Sequence, residues 1–176
     1  MKLRKKFLSI MLAFVMLLPM VMGIPVEAAA QPKQIDILFT HDTHSHANSF
    51  PTLVDGKQKE VGGYARIKTL IDEKKEENPD TLVLDGGDFS MGTLIQTVFE
   101  TEAAELRMLG YLGYDVTTLG NHEFDYRSKG LANMLKAAKN SGESVPELVV
   151  CNVDWAGMEK AGMSEGQKQI KSAFDT

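Results

Sequence analysis

Four histidines occur in the 176-residue chain, His41, His44, His46 and His122, and all of them lie in polar clusters rich in carboxylates and amides. The clusters are His41-Asp42-Thr43-His44-Ser45-His46, Asp85-Gly86-Gly87-Asp88 and Gly120-Asn121-His122-Glu123-Phe124-Asp125. Asp42 and His44 are two residues apart, and in extended chain that spacing puts both side chains on one face. A carboxylate beside an imidazole suits a divalent transition metal or Mg²⁺. Asp88 follows two glycines, which leave the backbone uncrowded for the approach of a carboxylate and an ion. Asn121 offers a neutral carbonyl oxygen, which would put His122 beside whatever the metal holds. Asp125, three residues on, can accept the other ring N–H of His122 and fix its tautomer. Singly, each cluster has an ordinary explanation: a solvated loop, a glycine turn, a helix start with Asn as N-cap. Together they use every histidine in the chain.

The clusters gain meaning from the elements that carry them. Short apolar runs at residues 35–40, 81–85, 116–119 and 148–153 read as strands. Helical periodicity spans about 61–78, 93–112 and 127–140. Asn78-Pro79 ends the first helix, and a polar loop with Pro51 and the Asp55-Gly56 turn signal precedes it. Residues 156–176 are polar and partly helical in pattern. Strands alternating with helices predict an α/β fold with a parallel sheet covered on both faces. In such a sheet the ligand crevice lies beyond the carboxyl ends of the strands, so three strands deliver the three clusters to one edge.

Composition narrows the setting. Lys2, Arg4, Lys5 and Lys6 precede an apolar run from Phe7 to Met22, and Ala28-Ala29-Ala30 follows. That order is a secretory signal. The run is interrupted by Pro19 and is shorter than the roughly 20 residues a membrane span needs. Residues 1–30 hold four basic residues and one acidic one, so the formal charge falls from −5 for the whole chain to −8 for residues 31–176. An acidic protein is poorly suited to binding a nucleic-acid backbone, and a phosphate-bearing substrate would need bound cations. Cys151 is the only cysteine, which excludes an intrachain disulfide and leaves it buried or free, with no cysteine partner for a thiolate metal site.

Three of these segments, Phe39-Thr40-His41-Asp42-Thr43-His44, Gly86-Gly87-Asp88-Phe89-Ser90-Met91-Gly92 and Gly120-Asn121-His122-Glu123-Phe124-Asp125, resemble signature blocks of the calcineurin-like metallophosphoesterases. Gly62-Gly63-Tyr64-Ala65-Arg66 and Cys151-Asn152-Val153 resemble the 5'-nucleotidase branch. The resemblance runs from about Ile35 to Asp154. It implies the front half of an α/β/β/α sandwich and a centre of two divalent metal ions, Mn, Mg, Zn or similar. In such centres ions about 3.5–4 Å apart clamp the phosphoryl oxygens and activate water. By the same resemblance, Asp42 and His44 bind one metal, Asp88 bridges both and Asn121 binds the second. His122 is the catalytic acid and Asp125 orients it. The implied substrate is a small phosphate ester, a nucleotide, with monoester, cyclic nucleotide and nucleotide sugar all open. The implied setting is outside the cytoplasm, extracellular or in the cell envelope.

His41 stands where the family often has Asn, and Ser45 where it often has Gly. The larger departure is that no histidine follows His122, whereas the family adds histidine ligands from later strands and a C-terminal nucleoside-binding domain. The expectation is a signal peptide at 1–30 and the N-terminal part of a metallophosphoesterase domain at 31–176, cut short before the site is complete and without the specificity domain. The competing reading is an inactive fragment or a non-catalytic secreted product with vestigial metal motifs. N-terminal sequencing of exported material should find a new end near Ala28–Ala30; an intact Met1 on a soluble cytoplasmic form contradicts the signal.

Overall fold

Strand β1 (Ile37–Thr40) alternates exposed and half-buried positions, and its partner β4 (Leu82–Asp85) buries Val83 and Asp85. They pair in parallel, Ile37 with Leu82 through Thr40 with Asp85. Two shorter strands complete a four-stranded parallel sheet in the order β1-β4-β5-β6: β5 (Val116–Thr117) and β6 (Glu147–Leu148). The structure, a computed structural model, describes residues 34–174. The basic start, the apolar run and Ala28–Ala30 lie outside the described residues. No helix among the described residues is long and apolar enough to cross a membrane.

Between β1 and β4 the chain departs from the expected polar loop. Residues 50–61 form an antiparallel hairpin, β2 (Phe50–Val54) with β3 (Lys57–Val61). Its two-residue turn has Asp55 at φ 54° and Gly56 at φ 71°, the pair of positive angles that matches strand twist in tight hairpins. The following helix α1 (Tyr64–Glu77) begins after Gly63 rather than at Val61 and ends at Asn78 in extended conformation, before Pro79. The continuous helix expected over 93–112 is broken. A 3₁₀ turn (Leu94–Val98) leads into α2 (Phe99–Glu102), then Ala103 turns left-handed at φ 48° and α3 (Ala104–Leu112) begins. The break lets Phe99, Ala103, Leu106 and Leu109 all reach the core. Helix α4 (Arg127–Ser141) packs against α6 (Glu165–Phe174), which follows α5 (Trp155–Ala161). The last strand is shorter than the run 148–153 suggested, and of the two states open to Cys151 it takes the free, exposed one.

The helices cover one face of the sheet. Val83 packs with Ile71 of α1, Leu106, Leu109 and Leu112 of α3, and Leu131 and Met134 of α4, all nearly inaccessible to solvent. Among the described residues the other face is apolar and open, as the front half of a sandwich leaves it, although strand–helix alternation alone predicted cover on both sides: Ile37 and Leu82 are register partners and both exposed, and Phe39 is 61% exposed. Leu109→Ala should therefore cost about 2–5 kcal/mol, whereas Ile37→Thr on the open face should cost about 0.5 kcal/mol or less. Urea unfolding of both variants checks this; equal losses would mean that the open face is covered in solution.

Candidate metal centre

The sheet's backbone ladder continues past the strand ends. The Gly86 N–H donates to Thr40 O at 2.8 Å, Asp42 N–H to Gly87 O at 3.0 Å, His44 N–H to Asp88 O at 3.1 Å and Ser45 N–H to Phe89 O at 2.9 Å. The first two polar clusters thus run side by side. They are not extended, however. Asp42, His44, Ser45 and Asp88 have φ of 53°, 45°, 55° and 51°. The reading of Asp42 and His44 from extended two-residue parity is therefore corrected: left-handed turns aim these side chains. Such angles on non-glycine residues cost of order 1–3 kcal/mol each and persist only where the surroundings enforce them.

The third cluster is brought in by close backbone contact. Gly87 has φ 90°, and a Cβ there would lie 2.5 Å from the Gly120 nitrogen; a Cβ on Gly120 would lie 2.0 Å from Asp88 Oδ1. Only glycine fits at either position. The contact is locked by Glu123, which is fully buried. Its carboxylate accepts from Asp88 N–H (3.0 Å), Ser90 N–H (3.0 Å), the Ser90 hydroxyl (2.7 Å) and Gly120 N–H (2.6 Å). Sequence reasoning gave Glu123 no role, although its place inside the third cluster was the available signal. Asp85 plays a similar part below, accepting from Thr40 Oγ1, Gly87 N–H and Thr117 Oγ1. Burial pushes its pKa up, against those hydrogen bonds.

On this frame, single donor atoms of His44, Asp88 and His122 come within 4.8 Å of one another. The His44 and His122 rings meet edge to face at 5.1 Å. The His44 Nδ1–H donates to Ser90 O at 3.2 Å, leaving Nε2 as the free donor atom, 3.5 Å from Asp42 Oδ1. His122 Nδ1 lies 2.7 Å from Asp125 Oδ2, and this bond is the first cause of a His122 pKa raised above the ordinary imidazole value. Asp42 is paired with His41 Nδ1, which holds its carboxyl below the usual range. The Asn121 amide fits its surroundings with Nδ2 donating to Asp88 Oδ2 at 3.1 Å and Oδ1 accepting from His122 N–H at 3.2 Å. Asp88 Oδ1 also accepts from His122 N–H at 2.8 Å. All six predicted residues therefore stand at one sheet edge. His46 is turned back, with Nδ1 2.8 Å from His44 O. The donor set fits a divalent cation: imidazole nitrogens oriented through their other nitrogen, with carboxylates between them.

A parallel sheet carrying a His/Asp/His cluster at its carboxyl edge defines an α/β protein with a candidate metal site, and comparison with known proteins gives the family. The model of the calcineurin-like phosphoesterases matches residues 35–158, and the chain belongs to that family. It is 39% identical to a 5'-nucleotidase of Bos taurus over 113 residues, which are 61% of this chain and 19% of that protein. It is 30% identical over 149 residues to a trifunctional nucleotide phosphoesterase of Bacillus subtilis, covering 76% of this chain and 10% of that one. Among solved structures, a 5'-nucleotidase precursor from Thermus thermophilus superposes with a TM-score of 0.59 at 33% identity, covering 68% of this chain and 22% of that one. The chain spans about a fifth of the length of the 5'-nucleotidases it matches. Proteins of this family use divalent metals, and the candidate His/Asp/His cluster is in place for one.

Glu123→Ala would remove the acceptor of three backbone N–H groups and a hydroxyl, the two of Ser90 buried and those of Asp88 and Gly120 part-buried, at about 1–3 kcal/mol for each buried group left unsatisfied. The expected total loss is about 3 kcal/mol or more by urea unfolding, against about 0.5 kcal/mol or less for the exposed control Glu76→Ala. Similar small losses for both would mean that Glu123 does not lock the loops.

Proposed function

We propose that this chain carries the metal-binding part of a secreted, nucleotide-hydrolysing metallophosphoesterase of the 5'-nucleotidase type, working by a two-metal mechanism. The observation that carries the reading is the convergence of His44, Asp88 and His122 at the carboxyl edge of the sheet. Its relatives' nucleotide chemistry and the acidic charge of the chain point the same way: a phosphate ester reaches this surface only with cations to receive it.

In this reading Asp42 and His44 would hold one ion, Asn121 a second, and Asp88 would be shared between them. When bound, the ions supply Lewis-acid stabilisation of the phosphoryl oxygens and a water of lowered pKa. The chain's own residues do the rest. Asp125 accepts Nδ1–H of His122 and favours its imidazolium, whose Nε2–H would pass its proton to the leaving oxygen and leave the neutral Nδ1–H ring behind. The backbone ladder of Asp42, His44 and Ser45 on Gly87, Asp88 and Phe89 keeps the carboxylates fixed while the substrate binds. Residues 1–30 direct export, and residues 31–176 form the N-terminal part of the catalytic domain. The open apolar face bearing Ile37, Phe39 and Leu82 is where the second sheet of the α/β/β/α sandwich packs. A second reading, in which His122 is itself a ligand, is favoured by its place in the three-residue cluster.

The test joins residues 31–174 to the remainder of the Thermus thermophilus relative and measures metal content beside AMP hydrolysis. Asp88→Asn should lose both. His122→Ala should keep its metal while turnover falls roughly 10²–10⁴-fold, the span of a general acid. Metal lost in His122→Ala would support the second reading, and metal kept with turnover unchanged would remove His122 from the mechanism.

A further inference from the structure

One buried acid takes no part in the chemistry above. Glu105 lies in the first turn of α3 with no exposed surface. Its Oε1 accepts the Ser45 hydroxyl at 2.9 Å, while Oε2 is buried without a hydrogen-bond partner. Glutamate is almost never fully buried without a partner for its charge, and an orphaned buried acceptor costs about 1–3 kcal/mol. Burial pushes the carboxyl's pKa up, towards the neutral form.

What that cost secures is the residue between two histidines. Ser45 is fully buried and held at φ 55°. Each of its polar groups is engaged: N–H to Phe89 O, carbonyl from Thr93 Oγ1 at 2.9 Å, hydroxyl to Glu105. An unaided serine has little reason to stay left-handed. Glu105 supplies the side-chain acceptor that fixes it there, and the peptide on one side of Ser45 is that of His44.

We propose that Glu105 is a positioning residue for the metal centre: by accepting the Ser45 hydroxyl it holds the left-handed turn that aims the His44 imidazole at Asp88. The proposal rests on reading His44 as a metal ligand. Glu105 touches neither ion nor substrate and acts only through Ser45.

The test uses the whole chain with two variants. Glu105→Met fills the same space without an acceptor, and Glu105→Gln keeps an oxygen for Ser45. Hydrogen exchange at the Ser45 amide is followed by NMR, with the Met134 amide in α4 as the reference for global unfolding. Zn²⁺ affinity is measured by competition with a chelating dye. In Glu105→Met, Ser45 exchange should rise about tenfold or more over the Met134 reference, the signature of local opening. Zn²⁺ affinity should fall about 10–100-fold, the usual loss when an outer-shell partner is removed. Glu105→Gln should restore both. The proposal is overturned if Glu105→Met leaves Ser45 exchange or Zn²⁺ affinity unchanged, or if Glu105→Gln is as damaging as Glu105→Met. Failure of the unmutated chain to bind Zn²⁺ overturns the metal reading of His44 itself, and is seen before any variant is compared.

Discussion

The backbone contact between Gly87 and Gly120, closed by the Glu123 carboxylate, is the constraint on which the site depends. Two loops from neighbouring strands approach until no Cβ fits between them. Several N–H groups of these loops then point between them, away from the ladder. Glu123 receives three of them and a hydroxyl in one side chain. A buried charged acceptor makes stronger bonds than a neutral one, and four donors compensate its desolvation. Once that knot is tied, Asp88 and His122 have little freedom in where they point. The loop after β1 is then laid against Asp88 by backbone bonds, which brings His44 to the same spot.

The knot also shapes the electrostatics. Asp85 and Glu105 are buried beneath the loops, and burial raises the pKa of both. Asp42, Asp88 and Asp125 stand above them at the surface. Beside them the His122 imidazole is raised in pKa by its bond to Asp125 and by the charges of Asp88 and Glu123. Such a layer attracts cations and repels a phosphate. Divalent ions held at its centre would reverse the sign of that surface, which is what the proposed phosphate-ester chemistry would need.

Much of this was legible in the sequence, for physical reasons that can be named. Strands β1, β4 and β5 are short apolar runs whose carboxyl ends carry every histidine, so the sheet edge and its six polar residues could be read before any coordinates. The hairpin β2–β3 is hard to read in the sequence because β3 is polar and exposed and β2 carries Pro51 and no apolar alternation, although Asp55-Gly56 marks the turn. The break at Ala103 was hidden because alanine is the best helix former, and only tertiary packing turns it left-handed. The left-handed Asp42, His44 and Ser45 were hidden for the same reason: long-range bonds enforce those angles, and local preference opposes them. Glu105 and Glu123 were passed over because glutamate is expected at the surface. Their burial becomes intelligible only when the donors they satisfy are seen.

The central claim is that this frame gives a divalent ion the Nε2 atom of His44 beside Asp88. Four histidines make the claim directly readable, because a ring nitrogen that coordinates Zn²⁺ undergoes a large ¹⁵N shift and loses its titration. Zn²⁺ added to ¹⁵N-histidine-labelled chain should shift Nε2 of His44 while leaving the ring nitrogens of His46 unshifted. Zn²⁺ bound with the His44 ring unchanged, or with His46 shifted in its place, would contradict the account.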